Sequence, residues 1–252
     1  MSRAPRKPSV SETYHVMVRG VGRQILFEDD VDRRFYLEVL GRELSGSDGE
    51  LLAWCLMDNH VHLLVRMGLS DLSEMMRALG SAYAVNFNRR HDRVGHLFQD
   101  RFKSEPVESD AYLLAVVRYI HQNPVRAGIT PTCDYRWSSY RSYVGEAEPF
   151  VETSCETVLG MFESPEAFVR FHQAFSPGVP CLSLGDKRRA VADEEALGTA
   201  RRALCDVRPE EVASLPRPQR NDAIRRMRTA RLSIRQIERI TGVSRGVVAG
   251  VR

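Results

Sequence analysis

Apolar and polar positions alternate with a period of two in "TYHVMVRG" (13–20), which predicts a strand closed by Gly20 and Gly22. The period then changes. In "DDVDRRFYLEVLGREL" (29–44), Val31, Phe35, Tyr36 or Leu37, and Leu40 fall at helical spacing behind acidic residues that suit a helix N-terminus. "SGSDG" is a turn, "ELLAWCLM" is a continuous apolar strand, and "DNH" is a tight turn leading into a second strand, "VHLLV". The two strands form a hairpin. Next, Leu72, Met75, Met76, Leu79, Tyr83 and Phe87 mark one apolar helix face, with Asp71 and Glu74 at capping-box spacing. "LFQDRFKSEPV" (97–107) predicts a short strand limited by Pro106. A long helix follows, opened by Ser109 or Asp110 and stopped near Asn123-Pro124. The order β-α-β-β-α-β-α predicts an α+β, ferredoxin-like βαββαβ antiparallel sheet with one added helix. The helices would cover one face and leave the other free to hold a site.

Beyond residue 145 the pattern weakens. "YRWSSYRSYVG" (135–145) is rich in aromatic and hydroxyl groups, and Tyr135, Trp137, Tyr140 and Tyr143 are candidates for stacking on unpaired bases. Residues 146–216 contain short helical pieces and read as a linker region. Residues 217–252 form a compact helical unit. Within it "SIRQIERITGVSRGVVAGV" reads as helix, glycine-containing turn, helix, with Ile234, Ile237, Ile240, Val243, Val247 and Val248 inward. The expected organisation is a disordered basic arm (1–11), a main domain (12–145), the linker region (146–216) and a helix-turn-helix-like tail (217–252).

Charge sharpens this division. Residues 1–145 carry 19 Lys+Arg against 18 Asp+Glu, residues 146–216 carry 7 against 13, and residues 217–252 carry 10 against 2. Every basic residue in that last segment is Arg. Arg suits bidentate contacts to phosphates and bases, so the tail, with Arg235 and Arg245, is a candidate for duplex DNA. Arg89, Arg90, Arg93, Arg101 and Lys103 cluster near the end of the second helix and are candidates for the DNA backbone. His91 and His96 in the same stretch read as exposed loop residues. Five cysteines (Cys55, Cys133, Cys155, Cys181 and Cys205) with no CxxC spacing argue against a disulfide framework or a zinc knot. No apolar run approaches the ~18 residues that span a bilayer, and no secretory signal opens the chain, so the expected compartment is the cytoplasm.

The chemistry centres on "LMDNHVHLLV" (56–65). His60 and His62 are two residues apart on a strand and so share a face. Two neutral imidazoles can converge on a divalent ion, and a third ligand must then come from elsewhere. The helix containing "RYIHQN" is the expected source. Tyr119 and Asn123 are i and i+4, neighbours on one helix face, beside an apolar face of Leu113, Val116 and Ile120. Two imidazoles, an amide oxygen and a phenol suit phosphodiester transesterification through a phosphotyrosine, and no Ser-His-Asp group or HExxH competes. His121 and Gln122 point to other faces, with Gln122 as a substitute ligand.

"MDNHVHLLV" is an HUH pair. Together with "GHLFQDRFKSEPV", "YLLAVVRYIHQNPVRAGI" and "YRWSSYRSYVG" it resembles the single-tyrosine HUH transposases, and in particular the REP-associated tyrosine transposases, over residues 12–145. The resemblance implies that His60 and His62 are metal ligands, that Tyr119 is the nucleophile, and that Asn123 is the metal-binding amide of the REP-associated branch. It also implies Mg2+ or Mn2+, a single-stranded DNA hairpin as substrate, and a 5′-phosphotyrosine link with a free 3′-OH. The competing readings are a sequence-specific DNA-binding regulator with an idle core and a phosphohydrolase that uses water. The sequence leaves monomer and homodimer open.

Overall fold

The computed structural model of the protein describes residues 6–146, 150–174, 181, 193–204, 207–230 and 232–251. The chain divides into two compact units, residues 1–184 and 185–252.

The first unit is built on the strands β1 (Thr13–Arg19), β2 (Glu50–Met57), β3 (His60–Arg66) and β4 (Lys103–Pro106), in the antiparallel sheet order β2-β3-β1-β4. Between them run α1 (Asp30–Ser45) and α2 (Leu69–Arg90), and α3 (Asp110–Arg126) follows β4. This is the expected βαββαβ order with its added helix. The alternation in β1 explains its placement. Tyr14, Val16 and Val18 turn to one face and join Trp54, Leu56, Val61, Leu63 and Val65 under α1 and α2. All six apolar residues expected on α2 are buried. Three polar contacts tie these helices to each other and to the loop between β1 and α1. Arg90 and His91 close on the buried Asp32 of α1, and the Tyr83 phenol donates to the Leu26 carbonyl.

The second face is also covered. Leu113, Val116, Val117 and Ile120 of α3 pack against Ala53, Cys55, Met57 and Leu64. Burying such side chains contributes roughly 1.5–3 kcal/mol each. The site therefore lies at an edge of this contact, beside α3, rather than on an open face.

Several local expectations are corrected. The α2 N-cap is Gly68, with no side-chain capping bond, so the Asp71/Glu74 box does not form. Helix α3 runs through Pro124 to Arg126. The missing proline N–H falls in the last turn, where the helix is ending, and the Asn123 side chain donates to the Tyr119 carbonyl at 2.9 Å. Val31 is exposed, and Tyr36 and Leu37 are both buried, as are Val39 and Leu40. Residues 1–5 of the N-terminal arm lie outside the described residues. Residues 6–11 rest on the domain, with the Ser11 hydroxyl donating to the Val107 carbonyl at 2.6 Å and the Arg6 guanidinium 3.7 Å above the Phe102 ring.

Residues 146–216 are divided between the units rather than forming one linker. Helices α5 (Glu156–Leu159) and α6 (Pro165–Gln173), following a short α4 (Tyr140–Tyr143), add Val158 and Phe168 to the core beneath α3. Helix α7 (Asp193–Leu204) and a 3-10 turn (Pro209–Ser214) belong to the second unit. There they share a core with α8 (Arg217–Thr229), α9 (Ile234–Thr241) and α10 (Arg245–Gly250). Ser233 and Gln236 form a capping box on α9, and Gly242, at φ +72°, makes the turn into α10. Ile237, Val243 and Val248 are buried and Ile234 and Ile240 are partly so, whereas Val247 faces out. Cys205 lies outside the described residues; Cys55, Cys133, Cys155 and Cys181 are free thiols. Among the described residues no helix is long and apolar enough to cross a membrane.

His121, which points to a different face of α3 from Tyr119 and Asn123, is fully buried. Its Nδ1 lies 3.0 Å from His172 Nε2 and its Nε2 2.9 Å from the Ser139 hydroxyl. His172 Nδ1 donates to the Phe168 carbonyl at 3.0 Å, so its Nε2 accepts from His121 and both rings are neutral. Burial lowers both pKa values, that of His172 to about 4. An unfolded histidine takes up its proton near 6.5, so the stability these rings contribute is complete above that pH. It is lost as pH falls toward 4. The unfolding free energy of the protein is expected to drop between pH 7 and pH 4.5, by about 2 kcal/mol for a histidine such as His172, with a lower urea midpoint as the readout. The drop should be measurably smaller in His172→Gln.

Candidate metal and nucleophile site

The pairing of β1 with β3 sets the geometry. His62 lies opposite Met17, and His60 lies opposite Arg19 at the end of the ladder. His60 and His62 point to the α3 face, where their ring centroids are 5.1 Å apart. One turn of α3 brings Tyr119 over them, its ring centroid 5.5 Å from that of His62. The Asn123 side chain lies close enough to His60 and to the Tyr119 phenol to influence the ionisation of both. The four residues expected from sequence, His60, His62, Tyr119 and Asn123, thus converge.

A fifth residue completes the group. His15 of β1 is fully buried, and its Nε2 lies 2.9 Å from His62 Nδ1. Its ring is 5.8 Å from that of Tyr119. Sequence reasoning passed over His15 because its partner is 47 residues away. The available signal was the parity of "TYHVMVR", which places His15 on the face opposite Tyr14, Val16 and Val18. Asn59, read as a turn residue, also orients the site, with its Oδ1 2.7 Å from His60 Nδ1. That contact makes His60 Nδ1 the donor and leaves Nε2 with a free lone pair.

Electrostatics keep these rings neutral. Burial lowers the His60 pKa to about 4, reinforced by the Arg19 charge and opposed by Asn123 and Asp58. Burial lowers His15 to about 3, and His62 is held well below its ordinary value by burial, then by its histidine neighbours. Neutral imidazoles are the form that binds a metal. Burial raises the Tyr119 pKa, against the opposing pull of Arg126 and Asn123. The Arg126 guanidinium stands 5.2 Å from the Tyr119 ring centroid.

His62 Nε2 is buried without a hydrogen-bond partner, as is His15 Nδ1. An orphaned nitrogen on a ring whose other nitrogen is bonded is what a metal ligand presents. Among the described residues no three His, Cys, Asp or Glu side chains are grouped to hold an ion. The donor set that fits is two imidazoles and the Asn123 amide oxygen, the Asn123 Nδ2 being committed to the Tyr119 carbonyl. If His62 Nε2 is a ligand, the His62 proton sits on Nδ1 and points at His15 Nε2.

Other expected site residues have different surroundings. Arg90 is held by Asp29 at 2.6 Å and by Asp32, so its charge serves the α1–α2 contact. His91, expected as an exposed loop residue, lies 2.9 Å from Asp32. The Arg93 guanidinium donates to Gln24, while Arg89 is exposed. Arg101 lines a groove with Arg6, Arg77, His96 and Phe102, and Lys103 is exposed on the edge strand β4. Gln122 donates to the His172 carbonyl at 2.8 Å and is no substitute ligand. Trp137, Tyr140 and Tyr143 are buried, and Tyr135 is half-buried with its phenol on the Leu56 carbonyl, so these aromatics are core and not base-stacking surfaces. In the second unit Arg235 is exposed, whereas Arg245 Nε lies 3.3 Å from Glu238.

Residues 9–123 match the family model described as "Transposase IS200 like". That span contains His15, His60, His62, Tyr119 and Asn123. Among solved structures, that of a REP-associated tyrosine transposase bound to a REP hairpin is similar at 18% identity and a TM-score of 0.49, covering 62% of this chain and 96% of the other. No curated protein matches the sequence.

Mn2+ titration followed by calorimetry should show one site on the purified protein. His62→Ala is expected to abolish it. His15→Phe, which leaves the ligands in place and removes the partner that orients them, is expected to weaken it about 10–100-fold. Unchanged affinity in His15→Phe would assign that residue to packing alone.

Proposed function

We propose that the protein, whose residues 9–123 match the IS200-like transposase family model, is a metal-dependent single-stranded DNA endonuclease and strand-transferase. It acts at hairpin sequences through a 5′-phosphotyrosine at Tyr119. The observation that carries this reading is the convergence of an orphaned His62 Nε2, the neutral His60 and Asn123 beneath the Tyr119 ring. Held by His60, His62 and Asn123, Mg2+ or Mn2+ would supply Lewis-acid polarisation of a phosphate oxygen.

The chain's own groups do the rest. Tyr119 has a raised pKa, so its phenol is protonated at rest and is a weak nucleophile. Arg126 beside its ring and Asn123 near its oxygen favour the phenolate as the proton leaves. The Tyr119 oxygen bonds to phosphorus and the P–O3′ bond breaks. The proton lost by the phenol is balanced by the one gained by the leaving 3′ oxygen. The α3–sheet core fixes Tyr119 against the histidines, so attack needs no rearrangement of the helix. In the second unit, the arginine-rich α8 and α9 would tether the protein to duplex DNA, with Arg235 as an available contact. Arg226 does not serve this role, because it donates to the carbonyls of Ala203 and Leu204 at the end of α7.

The test uses labelled single-stranded hairpin DNAs with Mg2+. The parent protein is expected to form a denaturation-resistant covalent adduct. Tyr119→Phe should form none, a loss of at least about 1000-fold, while binding the same DNA within about threefold. Tight binding with no adduct across varied hairpins would favour the regulator reading. Cleavage with no adduct would favour attack by water.

A further inference from the structure

One cation at this site has no role yet. Arg19 is the last residue of β1 and the direct cross-strand partner of His60, so its side chain leaves the sheet on the same face as the two ligand histidines. It is half-buried, and its Nε is buried without a hydrogen-bond partner. Among the described residues no carboxylate pairs with it. Two acids on the adjoining strand and turn are otherwise engaged: Glu105 with Tyr112, and Asp58 with Arg33 at 2.7 Å. The charge that does lie close is Arg23, which repels it.

A guanidinium whose Nε is buried without a partner, with no carboxylate paired to it among the described residues and a like-charged neighbour, is one that a bound anion would complete. We propose that Arg19 is a phosphate-binding residue of the active site, gripping a non-bridging oxygen of the DNA phosphate presented to Tyr119. The inference rests on the transesterification reading and adds to it the residue that positions the substrate. The geometry suits the task. Tyr119 stands over His62 and Arg19 flanks His60, so a phosphate presented to both would lie in the corner between the end of β1 and α3. Arg has the planar fork that takes two phosphate oxygens, or one oxygen through Nε and Nη together. As charge grows on the non-bridging oxygens during attack, a fixed guanidinium stabilises it more than it stabilises the bound ground state. The location also explains why this is Arg and not Lys. The guanidinium keeps its charge when partly desolvated beside neutral histidines, which must themselves stay unprotonated.

Arg19→Gln is expected to lower the single-turnover rate of adduct formation about 100–1000-fold with Mg2+, while DNA affinity changes less than about tenfold. Arg19→Lys should recover part of the loss. Arg42→Gln, an exposed charge on α1 across the sheet, should leave the rate unchanged. A second readout needs no cleavage. Replacing the cleaved phosphate by a methylphosphonate removes one anionic oxygen and should weaken binding of Tyr119→Phe about tenfold, but should cost the Tyr119→Phe/Arg19→Gln protein nothing further. A parental cleavage rate in Arg19→Gln, or an equal methylphosphonate penalty in both proteins, overturns the proposal. Should the parent form no adduct with any hairpin, transesterification fails, and inorganic phosphate then decides the fate of Arg19. Phosphate-dependent thermal stabilisation should weaken at least fivefold in Arg19→Gln, and equal stabilisation of the two proteins refutes the anion site.

Discussion

Slide β1 against β3 by one residue, and His15, Met17 and Arg19 leave the face that carries His60 and His62. The antiparallel register between these strands is the constraint on which the site depends. It is held from the other side of the sheet, where Tyr14, Val16 and Val18 interlock with Val61, Leu63 and Val65 under α1 and α2. A slip would bury Thr13, His15 and Arg19 in that apolar layer. The hydrophobic core and the polar site are thus alternate residues of the same strands, and neither can move alone.

The helix α3 is the second fixed part. Its apolar stripe is seated on β2 and β3, and the residues one step round the helix, Tyr119 and Asn123, then fall at the border of that contact. The buried His121–His172 pair and the Ser139 hydroxyl brace the far side of α3 against the segment 135–174. This bracing accounts for why residues 150–174 belong to the first unit. They close the core behind α3 rather than joining two domains.

Much of this was legible in the chain. The period-two and helical patterns gave every element of the βαββαβ order, and the spacing within "HVH" and "YIHQN" put His60 with His62 and Tyr119 with Asn123 on shared faces. What could not be read depended on register and on distant partners. His15 and Arg19 are ordinary strand residues until β1 is laid beside β3, and Asp32 shows why Arg90 is committed elsewhere only after α1 meets α2. The aromatic run 135–143 misled for a related reason. Its rings fit equally well in a core or on a nucleobase, and the hydroxyls of Tyr135 and Tyr143 are satisfied by the Leu56 and Leu52 carbonyls of β2. In the tail, counting arginines overstated the free charge, since Arg226 and Arg228 cap chain carbonyls.

Transesterification at this site requires the phenol oxygen of Tyr119 to become bonded to a DNA phosphate. Tryptic digestion of the protein after incubation with single-stranded hairpin DNA and Mg2+, followed by nuclease trimming and mass spectrometry, tests it directly. The expected product is a nucleotide mass on the peptide Tyr119–Arg126, with fragmentation placing it on Tyr119. A nucleotide on any other residue, or cleaved DNA with that peptide unmodified at every time point, contradicts it.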